Sequence, residues 1–229
     1  MVASVAPDLT DPLYKAAIVD LLGAIGYGEI SAFERLTEDA GMAPTLEDKV
    51  ALLGLASAQH ANVAPISTRL SELGVDPYAA MEPFRRPIDE FHAHTAPSDW
   101  WESLVKAYVG DNLVRDFYRE FAVHLDPAAR DLILATLGAE DRSEFVVDRV
   151  RSGIAANPTL AGRLALWGRR IMGEALTQTQ HVAATREALS DLVAGETSIA
   201  GLDLAAIAEM FGRITQAHIE RMDRLDLAH

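Results

Sequence analysis

The chain has 229 residues, of which 49% are hydrophobic and 24% charged, a composition typical of one globular domain. Its net charge of −14 excludes broad electrostatic binding to a nucleic-acid backbone. The absence of cysteine excludes disulfides, thiolate catalysis and cysteine-ligated metals, so any metal would be held by His, Asp or Glu.

The first predicted helix begins at Asp11-Pro12, an N-cap followed by a first-turn proline. Apolar residues then recur at helical spacing up to Gly41. Glycines at 23, 26 and 28 weaken an isolated helix, and their use is predicted to be the close approach of a neighbouring helix. Residues 1–10 are predicted to be a flexible tail of a single domain that spans 1–229.

The second predicted helix begins at Thr45, which forms an approximate capping box with Asp48, and it ends at Gly74. Pro65 lies inside this helix and is expected to bend it. The next segment, 75–97, carries four prolines, so only short helical turns are expected in it. This segment is interpreted as a crossover.

Four more helices follow, and no period-2 strand pattern competes with them. The third opens near Ser98 and the fourth opens at Asp126-Pro127 and ends before Asn157. The fifth runs from Pro158 to about Ala194 and the sixth from about Leu202 to Leu225. This order predicts an all-α, ferritin-like four-helix bundle with a long crossover between helices 2 and 3 and two additional C-terminal helices.

Several segments, among them LLGAIGYGEISAFERLTEDA, APSDWWESLVKAYVGDN and GRLALWGRR, resemble an actinobacterial family of ferritin-like proteins. That family is distantly similar to the tRNA hydroxylase that oxidises methylthio-isopentenyl-adenosine. The resemblance runs from about residue 12 to residue 226. It implies a di-iron centre built from a lone acid on each of two helices and an acid-x-x-His pair on each of the other two.

The resemblance also implies that this centre is degenerate here. Glu29 fits the lone acid of the first helix, whereas the second helix has Gln59 and Asn62 where the family has Glu and His. A carboxamide oxygen is a weak, neutral ligand for a dication. On the fourth helix, Ala139 and Arg142 replace the acid and the His, and the guanidinium is expected to occupy the place of the cation.

Two details of this alignment stay open. A register shifted by one turn would place Glu140 or Asp141 in the site instead. On the third helix one inward acid is expected, and the candidates are Asp111, on one face, and Asp116 and Glu120, which share another. The positions of the former site are therefore Glu29, Gln59, Asn62, Asp111, Asp116, Ala139 and Arg142, with no metal expected and no catalytic or cofactor-binding residue identified.

Other polar residues give weaker signals. His60 is expected to be a packed or surface residue, and His92 and His94 are interpreted as loop residues. Arginines at 163, 169 and 170 surround Trp167 and form either a local anion or RNA patch or, as favoured here, salt bridges on an acidic surface.

The sequence thus favours a metal-free binding or interaction protein. The alternative, implied by the resemblance, is a di-iron or dimanganese hydroxylase acting on a modified nucleoside or another small substrate. A third reading keeps a single metal on Glu29 and other acids. A homodimer is expected to form through a patch that includes Trp100-Trp101. A cytoplasmic location without a membrane span is expected, because no signal peptide and no stretch of roughly 20 apolar residues is recognised.

Overall fold

The structure is a computed structural model, and it describes residues 9–123, 125–137, 144–186, 188–189 and 204–228. These residues form eight α-helices and no strand, which confirms the all-α prediction. The helices are α1 (Pro12–Asp39), α2 (Leu46–Glu72), α3 (Pro77–His94), α4 (Trp100–Ala122), α5 (Pro127–Thr136), α6 (Glu144–Ala156), α7 (Thr159–Thr185) and α8 (Leu204–Arg224). Most of the predicted tail, residues 1–8, lies outside the described residues.

The predicted helix ends have the expected capping contacts. The side chain of Asp11 accepts a hydrogen bond from the backbone N–H of Leu13 at 2.9 Å. The hydroxyl of Thr45 accepts from the N–H of Asp48 at 3.1 Å and donates to its carboxylate at 2.7 Å. Gly74, just beyond α2, has a φ of 76°, the left-handed conformation that glycine adopts without strain.

The crossover differs from its prediction, because residues 77–94 form one continuous helix rather than short turns. Asp76 and Pro77 supply the same cap and first-turn proline as in α1. Pro83 and Pro87 lie inside the helix and each removes one backbone hydrogen bond. Burial of the apolar face of α3 offsets this cost, and that face includes Ala80, Met81, Phe84 and Pro87 itself.

The predicted fourth helix is also different, since α5 ends at Thr136 and α6 begins at Glu144. The predicted ligand positions Ala139 and Arg142, with the alternatives Glu140 and Asp141, lie outside the described residues. The fifth predicted helix corresponds to α7, which ends at Thr185 rather than near Ala194, and the sixth corresponds to α8.

The helices enclose two main apolar cores, with the middle of α1 and of α2 between them. The α1–α2 pair is antiparallel, α3 packs on α1 and reaches α7, and α4 contacts α5, α6, α7 and α8. Ile25 and Ile66 belong to the first core, together with residues of α3 and α5. Leu36 and Ala56 belong to the second core, together with residues of α4, α6, α7 and α8. Polar side chains near the middle of α1 and α2 therefore lie between the two cores.

One helical stretch is long and apolar enough to cross a membrane, by length and composition alone. Pro12–Met42 contains an 18-residue window with a mean hydropathy of 1.4. In that window, 56% of the residues are buried against other parts of the protein, as in the core helix of a water-soluble bundle.

Candidate functional site

A layer of polar side chains lies between the two apolar cores, and we call it the central polar layer. It contains Glu29 from α1, Gln59 and Asn62 from α2, and Asp111 from α4. Four of the seven positions predicted for the former site are thus brought together. Glu29 is 9% exposed and Gln59 is 7% exposed, so each needs a partner within the protein.

Asp111 has both carboxylate oxygens occupied by donors of the protein. The amide Nε2 of Gln59 donates to Oδ1 at 2.7 Å. The guanidinium Nε of Arg115, one helical turn further along α4, donates to Oδ2 at 2.8 Å. A charge-assisted bond of this kind is stronger than a neutral one, so Asp111 is held by Gln59 and Arg115 together.

Side chains of the same layer also donate hydrogen bonds to the carbonyl groups at the C-terminal end of α5. The last carbonyl groups of a helix have no partner inside the helix. The amide Nδ2 of Asn62 donates to the carbonyl oxygen of Thr136 at 3.0 Å, and a terminal nitrogen of Arg115 donates to the carbonyl oxygen of Leu137. A cation is favourable at this position because the C-terminal end of a helix carries partial negative charge. Arg115 therefore connects α4 to α5.

Glu29 is the acid of this layer whose protonation is most perturbed. Burial raises its pKa from 4.5 to about 8, with an opposing effect of the Asn62 side chain, a further rise due to Asp111 and an opposing effect of Arg115. Its Oε2 has no hydrogen-bond partner among the residues that the structure describes. Burial also raises the pKa of Tyr118, and the charges of Glu29 and Asp111 add to this rise. At neutral pH Glu29 is therefore mostly protonated.

Asp116 and Glu120 lie on another face of α4 and take no part in the layer. Oδ2 of Asp116 accepts from Arg221 of α8 at 2.8 Å, and Oδ1 accepts from Arg119 at 3.2 Å. Glu120 forms a two-point ion pair with Arg213 of α8, with distances of 2.9 and 2.6 Å. These acids attach α8 to the bundle, and the acid of α4 that faces the layer is Asp111.

The described residues of the layer do not fit a di-iron centre. They supply two carboxylates and two carboxamides but no imidazole, and both oxygens of Asp111 are already bound. The guanidinium of Arg115 would repel a dication at that carboxylate. In the described part of the chain, no group of three or more His, Asp or Glu side chains is arranged to hold a metal.

His60 and His94, two of the remaining predicted polar residues, have structural partners. His60 is exposed and its ring packs 5.1 Å from that of Phe33. His92 and His94 are not loop residues as predicted, because both belong to the last turn of α3, and Nδ1 of His94 lies 2.7 Å from Oε1 of Glu174. The apolar face of α3 extends that helix through the region where the prolines suggested turns.

The arginines around Trp167 form ion pairs and packing contacts. Arg163 donates to Asp99 and to Glu102, both at 2.6 Å. Arg170 lies over the ring of Trp167, with its guanidinium carbon 5.7 Å from the ring centroid. Arg163 is thus engaged in salt bridges, as the favoured interpretation of this patch expects.

Two residues of the central polar layer were missed from the sequence. Arg115 and Tyr118 follow Asp111 at i+4 and i+7, so all three share one face of α4. Once Asp111 is taken as the inward acid, this spacing predicts both neighbours. The sequence alone leaves open which face of α4 points inward, because α8 covers the face that carries Asp116 and Glu120.

An all-helical bundle with a crossover and a polar layer at mid-height defines a ferritin-like protein. The profile of the family described as "Ferritin-like domain, actinomycetes" matches residues 12–196. The chain belongs to this family. No curated protein matches the chain.

Proposed function

We propose that this protein is a metal-free, cytoplasmic member of the ferritin-like class that acts as a binding or interaction protein. The observation that carries the proposal is the pairing of Asp111, whose two oxygens accept hydrogen bonds from Gln59 and Arg115 at 2.7 and 2.8 Å. The negative charge of Asp111 is thereby already compensated by the guanidinium of Arg115, which would repel a dication bound to the same carboxylate.

Arg115 supports the proposal because it supplies what a metal supplies in such a bundle. It places a permanent positive charge beside Asp111, and it links α4 to the end of α5. Asn62 adds a second link from α2 to α5. The bundle is thereby cross-connected at mid-height by hydrogen bonds between residues of the protein.

The alternative function is a di-iron or dimanganese hydroxylase, similar to the tRNA methylthio-isopentenyl-adenosine hydroxylase, acting on a modified nucleoside or another small substrate. Its support is the resemblance of the sequence. It requires additional ligands from residues 138–143 and the displacement of Arg115 from Asp111.

Metal analysis tests the proposal directly. We expect protein expressed in medium rich in iron and manganese to contain far less than one metal per chain after desalting, and anaerobic titration with Fe(II) to show no saturable binding. The expectation follows from the neutral amides and the guanidinium in the layer. The measurements are elemental analysis and the near-ultraviolet absorption spectrum.

A matched variant makes the negative result informative. Gln59→Glu, Asn62→His and Arg115→Leu together restore an acid-x-x-His pair and remove the guanidinium, so this protein is expected to bind Fe or Mn more tightly than the parent. If the unmodified protein binds two metals tightly, the proposal is wrong and the hydroxylase is favoured.

We also propose that the protein is a homodimer, although not through the predicted tryptophans. Trp100 is 7% exposed, and Trp101 packs against the backbone of Gly153. Leu46 and Val50 are 76% and 60% exposed and lie one turn apart on α2, which gives an apolar face for pairing. Sedimentation at tens of micromolar is expected to give the dimer mass, and a monomer alone would contradict it.

A further inference from the structure

A groove runs along the surface of the protein between α1 and α3. Its volume is about 550 Å³, which lies in the range of small-molecule sites. Part of its wall is aromatic and apolar, and is formed by Tyr27, Ile30 and Tyr78. Tyr78 is 77% exposed, so its ring is open to solvent. The groove therefore presents an apolar and aromatic surface to molecules in solution.

Among the described residues, three carboxylates line this groove, and all of them are exposed. Glu82 and Asp89 belong to α3, and their side chains are 69% and 51% exposed. Glu34 belongs to α1, and its side chain is 52% exposed. A ligand in the groove can therefore reach carboxylate oxygens without any movement of the backbone.

Two arginines line the same groove, but they leave an excess of negative charge. Arg35 makes its close ion pair with Glu38, at 2.9 Å, and lies 3.7 Å from Glu34. Arg85 lies 3.6 and 3.9 Å from the two carboxylates of α3. The three longer distances exceed those of hydrogen bonds, so these contacts are weak. Four carboxylates, with Glu38 included, thus face two guanidinium groups, and the groove complements a cation.

The two carboxylates of α3 are spaced along the groove. Glu82 and Asp89 are seven residues apart, so they share one face of the helix and are separated by about 10 Å along its axis. The hydroxyl of Tyr27 donates to Oδ1 of Asp89 at 2.8 Å and so positions this carboxylate. Burial raises the pKa of Tyr27 to about 12, and the hydrogen bond to Asp89 adds to this rise, so the phenol remains a donor at neutral pH. A ligand with two positive charges at this spacing would match both carboxylates.

We propose that this groove binds a linear aliphatic diamine or polyamine in its protonated form. One ammonium group pairs with Glu82 and another with Asp89, and the methylene chain between them lies along the apolar wall. Tyr78 precedes Glu82 by one turn on the same face of α3, and its ring attracts the ammonium group at that end.

The inference rests on the proposed binding role, to which it gives a ligand class. None of the groove residues belongs to the central polar layer. Metal content therefore does not decide the inference, and a failure of amine binding leaves the metal-free proposal standing.

Titration followed by NMR at low ionic strength, with 1,8-diaminooctane, octylamine and octanoate, tests the site. The three probes share an eight-carbon chain and differ in charge, and the extended diamine spans both carboxylates. We expect the diamine to bind at one site per chain, about three- to fivefold more tightly than octylamine, the gain of one exposed ion pair. Added salt should reduce this gain. Equal affinity for octylamine, saturable binding of octanoate, or no binding of the diamine would overturn the proposal.

Three variants at exposed positions locate the binding. Glu82→Gln should reduce the affinity for the diamine to about that for octylamine. Arg85→Gln removes the cation that competes for both carboxylates, so it should strengthen binding by about the same factor of three to five. Glu47→Gln is the matched control, because Glu47 is 83% exposed, belongs to α2 and pairs with Arg149 at 3.3 Å. Equal losses in the Glu82 and Glu47 variants would show diffuse attraction to an acidic surface and contradict the site, as would weaker binding by Arg85→Gln.

Discussion

Glu29→Gln should raise the free energy of unfolding by about 4 kcal/mol at pH 8.5 and by about 1 kcal/mol or less at pH 5. Glu29 is 9% exposed, and burial raises its pKa from 4.5 to about 8. Between these values the folded protein keeps a proton that the unfolded chain releases. The stability of the parent protein is therefore lost as the pH rises from about 4.5 to about 8, whereas glutamine has no proton to lose.

Urea denaturation of both proteins at the two pH values measures this effect. Other buried acids, including Asp39, are present in both proteins and cancel in the difference. Glu34→Gln is the control, because Glu34 is exposed on the same helix and its replacement should change stability by less than about 0.5 kcal/mol at either pH. A metal bound to Glu29 would stabilise the ionised carboxylate and reverse the sign. Destabilisation by Glu29→Gln at pH 8.5 would thus argue against the metal-free layer.

The helix starts were the part of the fold most readily predicted, because their signals are local. Asp11-Pro12 and Asp126-Pro127 place α1 and α5 correctly. Asp76-Pro77 carries the same signal, but the prolines at 83 and 87 favour short turns, and the structure instead forms one helix that buries Ala80 and Phe84. Burial of the apolar face of α3 decides its structure, and the prolines and caps of the local sequence do not report which face is buried.

The central polar layer was predictable in part. Glu29, Gln59 and Asn62 were identified through the resemblance, and the structure places all three in the layer. Arg115 was not predicted, because an arginine on a helix is usually solvated and its inward direction depends on α8 covering the opposite face of α4. The predicted substitute for the metal, Arg142, lies outside the described residues, so its role remains a prediction.

The apolar residues that surround Lys106 in the sequence are unusual neighbours for a lysine. The chain has only three lysines, and Lys106 lies between Val105 and Ala107, with Leu104 and Val109 nearby. A lysine within an apolar stretch of a helix is either directed toward solvent or buried near an opposite charge. The bundle covers α4 on several sides, and the side chain is 6% exposed.

Gly23→Ala should destabilise the protein by about 3 kcal/mol, because α3 crosses α1 at this glycine. A Cβ at Gly23 would overlap the carbonyl oxygen of Ala80 and lie 2.9 Å from its carbonyl carbon. It would also lie 3.1 Å from Cε2 of Phe84. Backbone atoms of a packed helix move only if the whole helix shifts, so α3 would have to withdraw from α1. The close approach predicted from the glycines of α1 is found at this position.

Thermal and urea denaturation of Gly23→Ala, with Gly54→Ala as the matched control, measure this effect. Both glycines lie inside long helices, but a Cβ at Gly54 meets nothing within 4 Å. Alanine is a better helix former than glycine by roughly 0.5–1 kcal/mol, so the Gly54→Ala protein should be more stable than the parent by about that amount. Changes in stability of opposite sign at the two positions would separate the effect of helix propensity from the effect of packing. If Gly23→Ala is as stable as Gly54→Ala, α3 does not lie against α1 at Ala80.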